Sequence, residues 1–488
     1  MFYFPDNNTE TLFFTALFSI MILSCHYLNL LSSRSRLLIP IIKSNQKRFF
    51  RNKNLKSRKD DSYHSILNNG YPMGRINKNK DIPFLSNHCF DTDKDNKENN
   101  GYSANNLLTN FPFVSVIVPA RNEEKYIERC LLSLLSQDYP NFEIIAVDDN
   151  SSDNTLKIMK DIKNKNNKKK NTGLLPDKLK VISLKSKPDG WTGKTWASEQ
   201  GYLQSKGTIL LFTDADTNYV CRDVILQTVL FMQKEGLDVL TGVFSPEKLS
   251  NFWAKITIPL WDFVSILFGI GSGDVNNPKS KIAYLMGSFF LVRRKVLADI
   301  GAFESVRDEI QEDKALGVII KKRGYSLRLV ILKEMMYTIW ADDLVTLWGG
   351  IGRTLAPLVM KNRFKVISNL FIIFFATILP FVLFPVTLSI AVERLSLIPI
   401  YQAPFNIYLY LPLLNLIPCI MVFISFSAIC KVYKVKSFYS LGSLFAAIFV
   451  ISACTYNIAS LMVFGKTSPI IWQGREYIYN KEQSGFTI

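Results

Sequence analysis

Histidine is scarce in this chain. His26, His64 and His88 are its three copies, and all precede residue 112. The region beyond them therefore excludes a Ser-His-Asp triad and a histidine-ligated metal, leaving oxygen ligands for any cation bound there. The seven cysteines, Cys25, Cys89, Cys130, Cys221, Cys419, Cys430 and Cys454, include no Cys-x-x-Cys pair, and at least three lie in apolar stretches. No disulfide framework or zinc site is implied. Acidic residues are outnumbered, 41 against 58 basic ones, for a net charge of +17. The basic residues cluster beside apolar stretches rather than on one folded face, which argues against nucleic-acid binding.

Long apolar runs are present, and they organise the chain. Residues Thr11 to Leu31, Val366 to Val392, Ile407 to Ile429 and Phe438 to Phe464 each reach the roughly 20 residues a bilayer-spanning helix needs. The first lacks the preceding basic residues and the small-residue cleavage site of a signal peptide, so it reads as a retained anchor. Between Ser33 and Lys59 stand ten Lys or Arg and no acid, whereas only Asp6 and Glu10 carry charge before the first run. The positive-inside rule puts the segment after that run in the cytoplasm, and it fits "KNRFK" (361–365) and "KVYKVK" (431–436) as inside too. The expectation is a multi-pass cell-membrane protein with a cytoplasmic catalytic domain. Its parts are an anchor (1–32), a basic then Asn/Lys-rich disordered linker (33–110), a globular domain (111–343), an interfacial amphipathic segment (344–365), C-terminal transmembrane helices (366–464) and a tail (465–488).

Within the globular region, "FVSVIVPA" (113–120), "FEIIAVDD" (142–149), "KLKVISL" (178–184) and "TILLFTDAD" (208–216) alternate with stretches of helical spacing. Almost wholly apolar strands alternating with helices predict an α/β fold: a mostly parallel sheet with helices on both faces. Ligands of such sheets bind outside the carboxyl ends of the strands. Three strand ends carry polar clusters: "PARNEE" (119–124), "DDNSSD" (148–153) and "DAD" (214–216). Carboxylates gathered in one crevice repel unless a cation or hydrogen-bond donors join them. Asp214 and Asp216 suit a hard divalent cation, Mg²⁺ or Mn²⁺, which in turn screens a diphosphate. The bland alternative is that both acids merely end the strand or cap the next helix.

The ordered series "VSVIVPARNEE", "VDDNSSDNT", "GWTGKTWA", "TDADT" and "QEDKALG" (311–317) resembles family 2 of the glycosyltransferases, over about Phe113 to Pro357. The resemblance implies a GT-A fold and transfer from a nucleotide-sugar donor. It implies nucleotide-sugar contacts from the first two motifs, Pro119 and Arg121 among them, with Glu123 near the ribose and Asp149, with Asp148 adjacent, near the base. Asp214 and Asp216 would hold the metal and diphosphate, and Asp313, beside Glu312, would be the general base. An inverting displacement needs such a base on one side and charge neutralisation of the leaving diphosphate on the other. Glu312 and Asp313 also suit a plain acidic first helical turn.

Lys194 opens a helix in the glycine-bearing "GWTGKTWA" block, where an amino end favours phosphate. The run 251–271, rich in Phe and Trp, reads as an interfacial helix or a plain buried one. Trp348 and Arg353 stand where relatives keep a Gln-x-x-Arg-Trp motif touching acceptor or diphosphate; that motif is absent, which argues against a processive polysaccharide synthase. "GWTGKTWA" and the terminal "WQGREY" (472–477) are similar to hopanoid-associated and diaponeurosporenoate-type enzymes, implying a membrane lipid acceptor. A polyprenyl-phosphate acceptor, a catalytically dead sugar-nucleotide scaffold and a transporter are the alternatives. Three C-terminal spans would put "WQGREY" on the far side of the membrane from catalysis, unless one apparent span is re-entrant or interfacial.

Overall fold

The computed structural model describes residues 11–24, 111–171, 178–243, 245–246, 252–267, 273–332, 334–338, 347–350, 362–395, 407–432, 435–464, 470–472 and 474–477. The linker 33–110 lies outside them, as does most of the interfacial segment.

The globular part is built on seven strands. β1 (Val114–Ala120), β2 (Phe142–Asp149), β3 (Leu179–Leu184), β4 (Ile209–Phe212), β6 (Val239–Val243), β8 (Phe290–Arg293) and β9 (Leu327–Ile331) lie in the order β3-β2-β1-β4-β8-β6-β9. β1, β2, β3 and β4 run parallel, with Val116 opposite Ile144 and Leu211. β8 alone is antiparallel to its neighbours β4 and β6. The expected α/β fold with a mostly parallel sheet is therefore present. Every residue of β1 and β4 is buried, as strands covered on both faces require. Because β1, β2 and β4 are parallel, their carboxyl ends emerge at one edge, where the three polar clusters follow.

Helices α2 (Ile127–Leu135), α3 (Thr155–Asn171), α4 (Gly193–Leu203), α5 (Val224–Lys234), α7 (Arg294–Asp299) and α8 (Glu312–Lys322) complete the domain. α2 buries Ile127, Leu131 and Leu134, an i, i+4, i+7 stripe. A small second sheet joins β5 (Asn218–Tyr219), β10 (Met336–Thr338) and β7 (Ser245–Pro246) beside the main one.

The remaining helices are apolar: α1 (Thr11–Ser24), α6 (Phe252–Leu267), α9 (Arg363–Thr377), α10 (Leu379–Leu395), α11 (Ile407–Val432) and α12 (Ser443–Phe464). They share one core, in which Leu23, Ile256, Leu260, Phe263, Phe426 and Ala446 are buried together. α6 is thus an excursion of the globular domain into the bundle; one face is buried there, while Phe252 and Trp253 stay exposed. Among the described residues, the helices long and apolar enough to cross a membrane number two, Tyr410–Lys431 and Ser437–Ser460. α9 and α10 make a third only if they are taken as one broken span, for they meet at 44°. Pro380, in the first turn of α10, supplies no N–H there, a common cause of such a break.

After α12 the chain forms a hairpin of β11 (Ile470–Trp472) and β12 (Arg475–Tyr477), antiparallel, with Gly474 at φ +75° in its turn. Its tip touches the globular domain, as described below. The hairpin thus lies against the globular domain.

Candidate active site

The loops after β1 and β2 are laced together. Asn122 N donates to Ser151 Oγ at 3.1 Å, Ser152 N to Asn122 Oδ1 at 2.9 Å, and Asn154 N to Glu124 Oε2 at 3.0 Å. Asn122 and Asn150 both adopt left-handed backbone, φ 53° and 55°, a region asparagine tolerates better than most residues. Arg121 Nη1 donates to the carbonyls of Asp149 and Asn150, both at 2.6 Å. Several polar groups of the two motifs thus shape the crevice wall. Asp148 belongs to that group, accepting from Ser151 N at 3.3 Å, and Pro119 lies within β1 opposite Val147.

On the other side of the crevice, Thr192 caps α4 and accepts from Thr195 N at 3.3 Å. This capping carries Lys194 into the crevice. Its ammonium lies 2.7 Å from Asp214 Oδ1 and 2.8 Å from Glu312 Oε1. Asp313 Oδ2 accepts from Gly287 N at 3.0 Å, and Asp313 Oδ1 from Lys314 N at 2.7 Å. Asp216 Oδ1 accepts from Thr338 Oγ1 at 2.9 Å. Gly287 is the floor between these groups. A methyl group built there would stand 2.8 Å from Lys194 Nζ, 3.1 Å from Asp313 Oδ2 and 3.7 Å from Asp214 Oδ2.

The charge balance is acidic. Burial first, then Asp216, Asp214 and Asp153, pushes the Glu123 carboxyl up to about 8. Burial and then Asp214 push Asp216 up to about 7. Burial also raises Glu312 and Asp313 above the usual carboxylate range, with Lys194 opposing it in both. Burial alone would lower Lys194, yet Asp214, Glu312 and Asp313 together hold its ammonium well above its ordinary value.

Among the described residues, no three or more His, Cys, Asp or Glu side chains form a ready-made metal cage. The donor set still fits a hard divalent ion of the kind that takes one or two carboxylates and completes its shell with waters and phosphate oxygens. Asp214 and Asp216 repel each other, and a cation relieves that repulsion. The lack of a side chain at Gly287 lets Lys194, Asp313 and Asp214 approach one point.

Sequence reading anticipated Lys194, Asp214, Asp216, Glu312 and Asp313, and all five meet here. Glu123 lies near enough to feel both acids of the Asp-x-Asp pair. Gly287 and Thr338 were missed, since neither stands in a recognisable motif. Trp348 packs in the helical bundle, its ring 5.1 Å from that of Phe449 and 6.4 Å from that of Tyr456. Arg353 lies outside the described residues.

A further residue was missed. Arg475, in the C-terminal hairpin, grips Asp149 with both guanidinium nitrogens: Nη1 bonds Oδ2, and Nη2 lies 3.0 Å from Oδ1. Burial raises the Asp149 carboxyl, opposed by Arg475 first and then Arg121.

Comparison with known proteins bears on this site. Residues 115–301 match the family described as Glycosyl transferase family 2. The beta-monoglucosyldiacylglycerol synthase of Trichormus variabilis is 30% identical over 213 residues, covering 41% of this chain and 40% of that protein. The 4,4'-diaponeurosporenoate glycosyltransferase of Staphylococcus haemolyticus is 32% identical over 152 residues, covering 30% of this chain and 37% of that protein. Half or less of the length of the curated relatives it matches first is spanned by this chain. Among solved structures, the mannosyltransferase PcManGT from Pyrobaculum calidifontis, in complex with GDP-Man and Mn²⁺, shares 18% identity with a TM-score of 0.40 over 72% of this chain and 88% of its own.

Proposed function

We propose that this chain, which carries a glycosyl transferase family 2 domain, moves one sugar from a UDP- or GDP-sugar to a hydroxyl group of a membrane lipid, with inversion at the anomeric carbon. The observation that carries this reading is the meeting of Asp313, Lys194 and Asp214 around Gly287. An in-line displacement needs that pairing of a base with anion-stabilising groups.

Asp313 is the group for the acceptor's proton. Its raised pKa strengthens it as a base, while two backbone N–H donors hold its oxygens in place. Lys194 offers a fixed positive charge toward a departing diphosphate, and Glu312 keeps that ammonium from swinging out. Bound at Asp214 and Asp216, Mg²⁺ or Mn²⁺ would supply further neutralisation of diphosphate charge. The lipid acceptor is supported by what the Trichormus and Staphylococcus relatives are named for, and by α6, which links the catalytic domain to the apolar bundle.

The chain is then a multi-pass membrane protein with its catalytic domain cytoplasmic, following the basic cluster after the first apolar run. Because the C-terminal hairpin touches the catalytic domain, an even number of crossings separates β10 from β11. Asp313→Asn in the purified full chain is expected to abolish transfer into lipid while nucleotide binding persists; full transfer by that variant would overturn the base assignment.

A further inference from the structure

The C-terminal hairpin is used by none of the steps above, yet it is seated among the loops read as holding the nucleoside. A side chain at Gly474 would come 3.2 Å from Asn122 Nδ2, in the loop after β1. Arg475 reaches Asp149 at the end of β2, 326 residues away in sequence, and its Nη2 also lies 3.5 Å from the Asp149 carbonyl. Gly193, at the amino end of α4, is packed against both partners, so that any side chain there would collide with Arg475 Nη1 and Asp149 Oδ2. Three loops thus close around one ion pair, whose side chains are only 16% and 4% exposed.

A carboxylate this covered is costly to keep charged unless it is paired. The groups facing it are Arg475 and Arg121, which favour its charged form, and Asp148, which opposes it. A two-pronged guanidinium also fixes the plane of the carboxylate, and an ionised carboxylate has about four lone-pair sites, so further acceptor capacity remains.

We propose that Arg475 is a positioning residue of the donor pocket: its two-pronged bond holds Asp149 as a charged acceptor for the ring N–H of the donor's nucleobase, of the kind that uracil and guanine both carry. This rests on the nucleotide-sugar reading above. It makes the C-terminal hairpin part of the donor site, supplied from beyond the helical bundle.

The test uses the full chain in lipid nanodiscs, titrated calorimetrically with UDP and with GDP in Mg²⁺ at a series of pH values from mildly acidic to mildly basic. Wild type is expected to bind one of the two nucleotides, and its own pH profile is the reference for the variants. Arg475→Gln should weaken that binding by roughly 10- to 100-fold, the value of a hydrogen bond to a charged group. The loss should deepen as pH falls, because Asp149 without its partner takes up a proton and ceases to accept. Arg475→Lys should recover part of the affinity, and in turnover assays KM for donor should rise more than kcat falls. Arg475→Gln with wild-type affinity and pH profile overturns this inference alone. Wild type that binds neither nucleotide overturns the nucleotide-sugar reading instead. Should Arg475→Gln fail to fold, the double variant Asp149→Asn with Arg475→Gln leaves no buried charge unpaired; it should bind weakly at every pH, and wild-type affinity in it would overturn the assignment.

Discussion

The ammonium of Lys194 lies 2.8 Å from the carboxylate of Glu312, tying the second residue of one helix to the first residue of another across the crevice. The Glu312 side chain is 6% exposed, so removing its partner leaves a nearly buried acid unpaired. Lys194→Met is expected to destabilise the folded domain by about 3 to 5 kcal/mol, the range for breaking a buried pair, and to weaken nucleotide binding. Lys194→Arg keeps the charge and should cost less. Chemical denaturation of both variants checks the order.

Gly287 carries a geometric prediction. Gly287→Ala adds a methyl group 2.8 Å from Lys194 Nζ and 3.1 Å from Asp313 Oδ2, which moves the ammonium and the base by a few tenths of an ångström or more. Misplacement of reacting groups on the scale of 1 Å costs about 100-fold in rate. Turnover should therefore fall by roughly 10- to 100-fold, with the melting temperature nearly unchanged. An unaltered rate would show that the groups around Gly287 are not the reacting ones.

Glu123 gives the site a pH signature. Its carboxyl is pushed up to about 8 in the folded protein from an ordinary value of 4.5, so between those pH values the folded state holds a proton that the unfolded state has released. Stability then falls as pH rises through that window. Glu123→Gln should remove this dependence and raise the melting temperature at pH 8 by a few degrees, about what 1 kcal/mol achieves. Melting curves at pH 5 and pH 8 decide it; a variant as pH-sensitive as the parent would show that Glu123 is not the group responsible.

The hairpin contact carries a prediction about sidedness. Glu476 and Lys180 are both exposed, one beside the hairpin turn and the other in β3. In sealed vesicles a membrane-impermeant thiol reagent should label Glu476→Cys and Lys180→Cys from the same side, above the labelling of the parent chain. Labelling from opposite sides would contradict an even number of crossings.

Much of this was legible in the sequence, for reasons that are physical. β1, β2 and β4 are buried on both faces, so each is a continuous apolar run ending in the polar residues of a site. Lys194 was found through the glycines beside it, and Asp313 through its place after the strands. The antiparallel β8 was not legible, because an apolar strand carries no mark of its direction. Thr338 stands in a short strand with no motif around it, and Gly287 is an isolated glycine whose value lies in what surrounds it in space. Arg475 was hidden by hydropathy. Whether three apolar runs make three crossings stayed open from sequence, and the 44° bend between α9 and α10 falls at Pro380, which a count of apolar residues does not register.

The most direct measurement is transfer of radiolabelled sugar from UDP- and GDP-sugars into organic-extractable lipid by the purified full chain in membranes, with Mg²⁺ or Mn²⁺. The expected result is label in lipid that survives mild acid and disappears both with EDTA and with Asp313→Asn. Label that is lost to mild acid would replace the lipid hydroxyl by a polyprenyl phosphate as acceptor. No label in lipid under any donor would contradict the account.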